Sequence, residues 1–146
     1  MDNVFKNGIL FLFATAGGTI AYLLGGWDAS IKALIWFMAA DFATGLMVAF
    51  IWHRSKKSED GKLDSKASFK GLCKKISILF MVLIATQLDI AMNSNFVRTS
   101  VVIFFIGNEG ISLLENFGLM GIPYPKFLKK SLEVLKDNGN KGDEES

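Results

Sequence analysis

Apolar residues form long uninterrupted blocks along this chain, and almost no charge falls inside them. Residues 8–27 carry no charge, residues 33–53 carry only Asp41, and residues 76–97 carry only Asp89. About 20 helical residues, at a rise of about 1.5 Å each, cross the roughly 30 Å hydrocarbon core of a bilayer. The hydrophobic residues, 51% of the 146 positions, are concentrated in these blocks, so few remain to form a soluble core. The pattern predicts an all-α integral membrane protein.

Four membrane-spanning helices are the arrangement that the blocks favour. They are predicted over residues 5–25, 31–52, 75–93 and 98–120. The fourth block contains polar residues, so the alternative is three spans, with residues 108–120 lying at the membrane surface.

Charge is segregated between the spans. Residues 53–75 hold eight Lys or Arg against three acids, and the positive-inside rule places such a loop in the cytoplasm. The basic residues that we expect to fix this topology are Arg54, Lys56, Lys57, Lys70, Lys74 and Lys75. Contact of this loop with anionic headgroups is a second role that the sequence allows.

The C-terminal segment is also basic at its start. Three lysines follow the fourth span, so both termini are expected in the cytoplasm. The chain then divides into a transmembrane domain, residues 1–125, and a charged cytoplasmic tail, residues 126–146. Within that tail, residues 126–135 have the pattern of an interfacial amphipathic helix.

Small residues recur at four-residue intervals in the first span, at Gly17, Ala21 and Gly25. Such spacing lets helix backbones approach closely in lipid, where packing drives association. The stripe predicts helix packing, either within one molecule or between copies in a homo-oligomer.

The stretch IGNEGISLLEN, residues 106–116, places acids in the middle of an apolar helix. At 100° per residue its polar side chains fall within an arc of roughly 120°. This polar stripe consists of Asn108, Glu109, Ser112, Glu115 and Asn116. Lipid offers no hydrogen-bonding partner, so the stripe is expected to face protein or water.

Two further acids, Asp41 and Asp89, fall within predicted spans. Asp89 lies one short loop from Arg98 and is expected to pair with it. Asp41 and Glu109 fall near the membrane midplane, where the sequence shows no basic partner, so protonation is expected there. Intramembrane acids are candidates for a functional site, as a water-lined path or a proton-coupled site. The alternative is that they only hydrogen-bond neighbouring helices together.

Catalytic and cofactor motifs are absent from the sequence. One cysteine and one histidine form no metal-ligand pattern, and no phosphate-binding loop or activated nucleophile occurs. We therefore expect no enzyme activity, no cofactor and no nucleic-acid partner.

Several segments, in order, resemble the toxin-secretion and phage-lysis holin family of Gram-positive phages and toxin loci. The matching pieces are GGWD (25–28), DFATGLM (41–47), SFKGLCKKISIL (68–79), QLDI (87–90), RTSVVIFFIGNEGISLLEN (98–116) and GIPYPKFLKKSLEVLK (121–136). They cover nearly all of the chain except its ends.

The resemblance implies a function. Such proteins accumulate in the bacterial cytoplasmic membrane, oligomerise, and open lesions that release an endolysin or a large toxin without necessarily binding it. Phage lysis and toxin export are both compatible with the residues. The alternatives are a small ion- or proton-coupled transporter using Asp41 and Glu109, or a non-conducting membrane anchor.

Overall fold

The computed structural model describes residues 2–57 and 59–141, and in these ranges the ordered elements are all helical. They are α1 (Asp2–Leu23), α2 (Ala29–Met47) with its π-helical continuation (Val48–Trp52), α3 (Ser65–Met92), α4 (Phe96–Leu119) and α5 (Lys126–Asn140).

Four of these helices are long and apolar enough to cross a membrane: α1, α2 with its π-helical continuation, α3 and α4. The prediction of an all-α membrane protein with four spans is thereby confirmed at the level of helix length and composition. Assembly into homo-oligomers stays a prediction.

Aspartates fix where two of the spans begin. Asp28 accepts a hydrogen bond of 2.9 Å from the backbone N–H of Ile31, and Asp64 accepts one of 3.0 Å from that of Lys66. Both satisfy N–H groups that the first helical turn leaves without a partner. At the other end of α3, Asn93 adopts the left-handed conformation, with φ at 52°, and stops the helix.

The third helix starts at Ser65, well before the predicted boundary at residue 75. The basic segment 53–75 is therefore part loop and part helix. Lys75 therefore lies within α3 rather than in the loop, and its side chain points into the bundle.

The apolar core lies between α2, α3 and α4. Its buried side chains are Leu24, Ile31, Leu34, Met38, Ile78, Val82, Val102 and Ile106. Because α4 packs against α2, α3 and α5, it is the central helix of the bundle.

The first helix stands apart from this core. Residues 3–23 are exposed along their length, apart from the half-buried Ala21. In a bilayer this surface must be covered by lipid or by another protein chain.

The described part of the predicted tail is the helix α5, which lies directly on α4. Leu132 is buried and sits over Gly110, while Gly139 lies against Ser100 and Phe104. Later residues of α5 thus meet earlier residues of α4, so the two helices run antiparallel. Residues 142–146 of the tail lie outside the described residues.

Candidate functional site

Two carboxylates and one lysine meet between α2, α3 and α4. Lys75 Nζ donates to Asp41 Oδ2 at 2.7 Å and also forms a short ion pair with Glu109 Oε2. The side chains of the two acids are 3% and 2% exposed, and that of Lys75 is 12% exposed. We call these three residues the ionic triad.

The triad forms because the three helices alternate in direction. Asp41 lies in the second half of α2, Lys75 in the first half of α3, and Glu109 midway along α4. Adjacent antiparallel helices bring these positions to the same level of the bundle. The expectation that Asp41 and Glu109 lack a basic partner is therefore wrong, and Lys75 supplies that partner.

Asn116 extends the triad through hydrogen bonds to α2. Its Nδ2 lies 3.1 Å from Asp41 Oδ1, 3.1 Å from the Asp41 carbonyl oxygen and 2.9 Å from Thr44 Oγ1. Ser112 lies beside Asp41 on the same side of the bundle. Among the described residues, no buried side-chain nitrogen or oxygen lacks a partner, as the cost of an unpaired polar group at membrane depth requires.

The predicted polar stripe is divided by this arrangement. Glu109 belongs to the triad and Ser112 and Asn116 lie next to it, whereas Asn108 is half-buried and Glu115 is exposed. Only one edge of the stripe is therefore used inside the bundle, and Glu115 is left for lipid headgroups, water or another chain to contact.

A second polar cluster joins the helices at the opposite end of the bundle. Asp89 accepts hydrogen bonds from the backbone N–H groups of Val97 at 3.0 Å and Arg98 at 2.9 Å, and from Ser94 Oγ at 2.5 Å. It thereby caps the start of α4 across the short turn from α3. The expectation that the side chains of Asp89 and Arg98 pair is wrong. Asp89 instead accepts hydrogen bonds from two backbone N–H groups and from Ser94.

The Arg98 guanidinium reaches the turn between α1 and α2. Its Nε donates to the Leu24 carbonyl oxygen at 2.6 Å, and its Nη1 donates to Asp28 Oδ2 at 2.7 Å. The hydrogen bond from Arg98 lowers the pKa of the Asp28 carboxyl below its usual value. The α1–α2 and α3–α4 turns therefore lie at the same end of the bundle.

Within the part of the chain that the structure describes, the predicted packing stripe of α1 has no contact at Gly17. A Cβ atom at this position would meet nothing within 4 Å. Gly25 lies beyond the end of the helix, with φ at 81°, and the Arg98 side chain occupies the space beside it. Gly17 and Ala21 thus remain on one helix face, while Gly25 belongs to the turn.

The predicted basic residues lie on the loop and the first turns of α3. Arg54, Lys56, Lys57, Lys70 and Lys74 are exposed, and Lys57 Nζ comes within 3.8 Å of Asp41 Oδ2. In residues 2–57 and 59–141, no three His, Cys, Asp or Glu side chains are grouped so that they could hold a metal ion.

Together the four long apolar helices and their internal polar clusters define a multi-pass membrane protein. The sequence profile of the bacteriophage holin family matches residues 18–137, which is most of the chain. The chain belongs to the bacteriophage holin family.

Similar proteins occur in several bacteria and in a phage. An uncharacterized protein of Listeria innocua is 38% identical over 146 residues, covering 99% of this chain and 94% of its own length. One from Clostridium perfringens is 34% identical, covering 92% and 93%. A probable holin of Bacillus phage phi105 is 33% identical over 82 residues, covering 55% of this chain and 61% of its own length. No solved structure matches the chain.

Proposed function

We propose that this protein is a holin that assembles with copies of itself in the bacterial cytoplasmic membrane and opens lesions there. Membership of the bacteriophage holin family is the observation that carries the proposal. An endolysin or a large toxin then leaves through the lesion without needing to bind the protein. In this role the chain lines a path and performs no catalysis.

The ionic triad supports a role in opening. Inside one bundle Lys75 forms an ion pair with both buried acids, and the bundle separates them from lipid. If the helices separate, the same side chains are too polar for lipid and must face water or other subunits. These side chains therefore have polar partners in two states, a closed bundle and a water-lined assembly.

The charged helix α5 supports the proposal in the same way. It carries six charged residues, yet it packs along the membrane-spanning helix α4. Charges at that depth are stable beside water or protein and unfavourable beside lipid. A helix of this kind fits an assembly that encloses water.

Induced expression in a bacterium tests the proposal. The cell carries a cytoplasmic hydrolase as a reporter, and membrane potential and hydrolase in the medium are measured together. We expect depolarisation followed by release of the folded hydrolase. Depolarisation without any release would contradict a protein-sized lesion.

A proton- or ion-coupled transporter is the second candidate, and the ionic triad is the observation that favours it. Ionisable side chains inside membrane spans often mark ion pathways or proton relays. A transporter passes ions and small solutes only. The hydrolase reporter therefore separates the two candidates by the size of what leaves the cell.

Cysteine labelling from outside the cell tests the topology. We propose that the loop after α2 and the N-terminus face the cytoplasm, with the α1–α2 and α3–α4 turns outside. In a Cys73→Ser background, a cysteine at Asn95 or Ser30 is expected to react with an impermeant maleimide, and one at Ser65 is expected not to. Reaction at Ser65 in intact cells would show that the protein has the opposite orientation. The sequence predicts a cytoplasmic C-terminus and hence no reaction of a cysteine at Ser146. In the structure α5 runs along α4 toward the α3–α4 turn, so reaction at Ser146 is expected only if this packing persists in the membrane.

Leucine substitution at Gly17 tests whether α1 packs between copies. A Cβ atom there meets nothing within 4 Å among the described residues, so Gly17→Leu is expected to leave the fold of one molecule intact. It blocks close approach of another helix, so we expect a severalfold loss of cross-linked oligomers at equal membrane abundance.

Gly8→Leu is the matched control for this experiment. Gly8 also has open space around its Cβ position but lies on the opposite face of α1, nine residues away. Gly8→Leu should keep the parental oligomer yield, and an undiminished yield in Gly17→Leu would show that this face does not mediate assembly.

A further inference from the structure

A cavity of about 490 Å³ opens between α2, the loop after it and the start of α3. Its wall is formed by Asp41, Phe42, Lys56, Lys57, Ala67, Lys70, Gly71, Lys74, Lys75 and Ser112. Five of these residues are lysines. We call it the lysine cavity.

Positive charge dominates the lysine cavity. Lys75 is bound to Asp41 and Glu109, and Lys57 approaches Asp41 at 3.8 Å. The five lysines face only the carboxylates of Asp41 and Glu109, so the cavity has an excess of three positive charges. Within residues 2–57 and 59–141, the other three lysines, Lys56, Lys70 and Lys74, form no ion pair. The cavity therefore suits a ligand with negative charge.

We propose that the lysine cavity binds the phosphate headgroup of an anionic phospholipid, such as phosphatidylglycerol, from the cytoplasmic leaflet. Lys56, Lys70 and Lys74 contact the phosphate oxygens. Basic pockets beside membrane helices at the cytoplasmic side are suited to acidic headgroups. The proposal holds whether or not the protein opens lesions.

The surface next to the cavity favours a lipid over free phosphate. Met81 and Leu88 follow Lys74 at seven-residue intervals, so they lie on the same face of α3, deeper along the helix. Both are apolar and exposed, at 48% and 46%. An acyl chain attached to a headgroup in the cavity would run over these two side chains.

Lipid retention by the purified full-length protein in neutral detergent tests the proposal. Phosphatidylglycerol and phosphatidylcholine with identical acyl chains are offered in competition, and native mass spectrometry counts the bound molecules. Each lysine near a membrane surface contributes about fivefold in affinity for acidic lipid. We expect the Lys70→Gln/Lys74→Gln variant to lose roughly 30-fold in preference for phosphatidylglycerol.

Lys66→Gln/Lys130→Gln is the matched control, because it removes the same charge from exposed positions outside the cavity. It should keep the parental preference. Lys70 and Lys74 are also exposed and make no ion pair, so the fold should survive their substitution, and circular dichroism checks this.

Three results would overturn the proposal. One is equal retention of both lipids by the parent protein. Another is an equal loss in the control variant, which would mean diffuse attraction by the basic surface. The third is displacement of the lipid by millimolar inorganic phosphate, which would mean that the cavity binds the anion alone.

Discussion

Replacing Lys75 with methionine is expected to lower the midpoint of thermal unfolding on the order of 10 °C, because removing one partner of a buried ion pair costs about 3–5 kcal/mol. Lys75 is the group that binds both buried acids. Lys57 cannot replace it, since its side chain is 53% exposed and its ion pair is with Asp41. Circular dichroism of the detergent-solubilised protein measures the change.

Two variants make this result specific. Lys74→Met removes the neighbouring exposed lysine and should leave the midpoint within about 2 °C, since surface substitutions have small effects. Asp41→Asn/Glu109→Gln/Lys75→Met removes all three charges and should recover most of the loss, because no charge is left buried alone. A Lys75→Met protein as stable as its parent would show that the ionic triad does not hold the bundle together.

Adding one methyl group at Gly107 is expected to separate α5 from α4. A Cβ atom there would lie 2.6 Å from the Leu132 carbonyl oxygen and from the Lys136 backbone nitrogen. Backbone atoms cannot rotate away, so Gly107→Ala forces the helices apart at a cost of about 1–3 kcal/mol. In a Cys73→Ser/Leu132→Cys background, the maleimide reaction of the buried cysteine should accelerate roughly tenfold or more.

Gly118→Ala serves as the control on the same helix. The nearest atom to its Cβ position is in Tyr124 at 4.0 Å, so the substitution fits. The reaction rate at position 132 should match the parental rate. If Gly107→Ala also matched it, α5 would not lie on α4 in solution.

The architecture follows from the sequence because membrane spans are long and apolar. A charge-free block such as residues 8–27 has few other possible structures, so the four helices were predictable. Their ends were less predictable. The start of α3 depends on the Asp64 cap, a local hydrogen bond within a segment in which charge alone suggested a loop.

The polar partners depend on tertiary structure and could be predicted only in part. Glu109 and Asp41 were recognisable as candidates because acids in apolar blocks are rare. Lys75 lay at the end of a basic run and was interpreted as a topology signal. Asp89 binds two backbone N–H groups, and such bonds leave no mark in the spacing of charged residues.

One signal could have identified Lys75. It shares a helix face with Ile78, Val82 and Asp89, at offsets of three, seven and fourteen residues, and all three of these are buried. Extending this buried face toward the N-terminus of α3 places Lys75 inside the bundle. The packing of α5 on α4 had no comparable signal, because it depends on the absence of side chains at Gly107 and Gly139.

Glu109 provides the most direct test of the proposal that the ionic triad is closed within one bundle and meets water when the lesion opens. Replacing Glu109 by leucine leaves Lys75 paired with Asp41, one positive charge against one negative, so the protein should accumulate in the membrane. An apolar side chain has no reason to face water, so opening should fail. Glu109→Gln keeps a hydrogen-bonding group and should retain part of the activity.

The measurement is hydrolase release divided by membrane abundance, for the parent, Glu109→Gln and Glu109→Leu. We expect a decline in that order, with Glu109→Leu abundant but releasing almost nothing. An abundant Glu109→Leu protein that releases the hydrolase as fast as its parent would contradict the proposal.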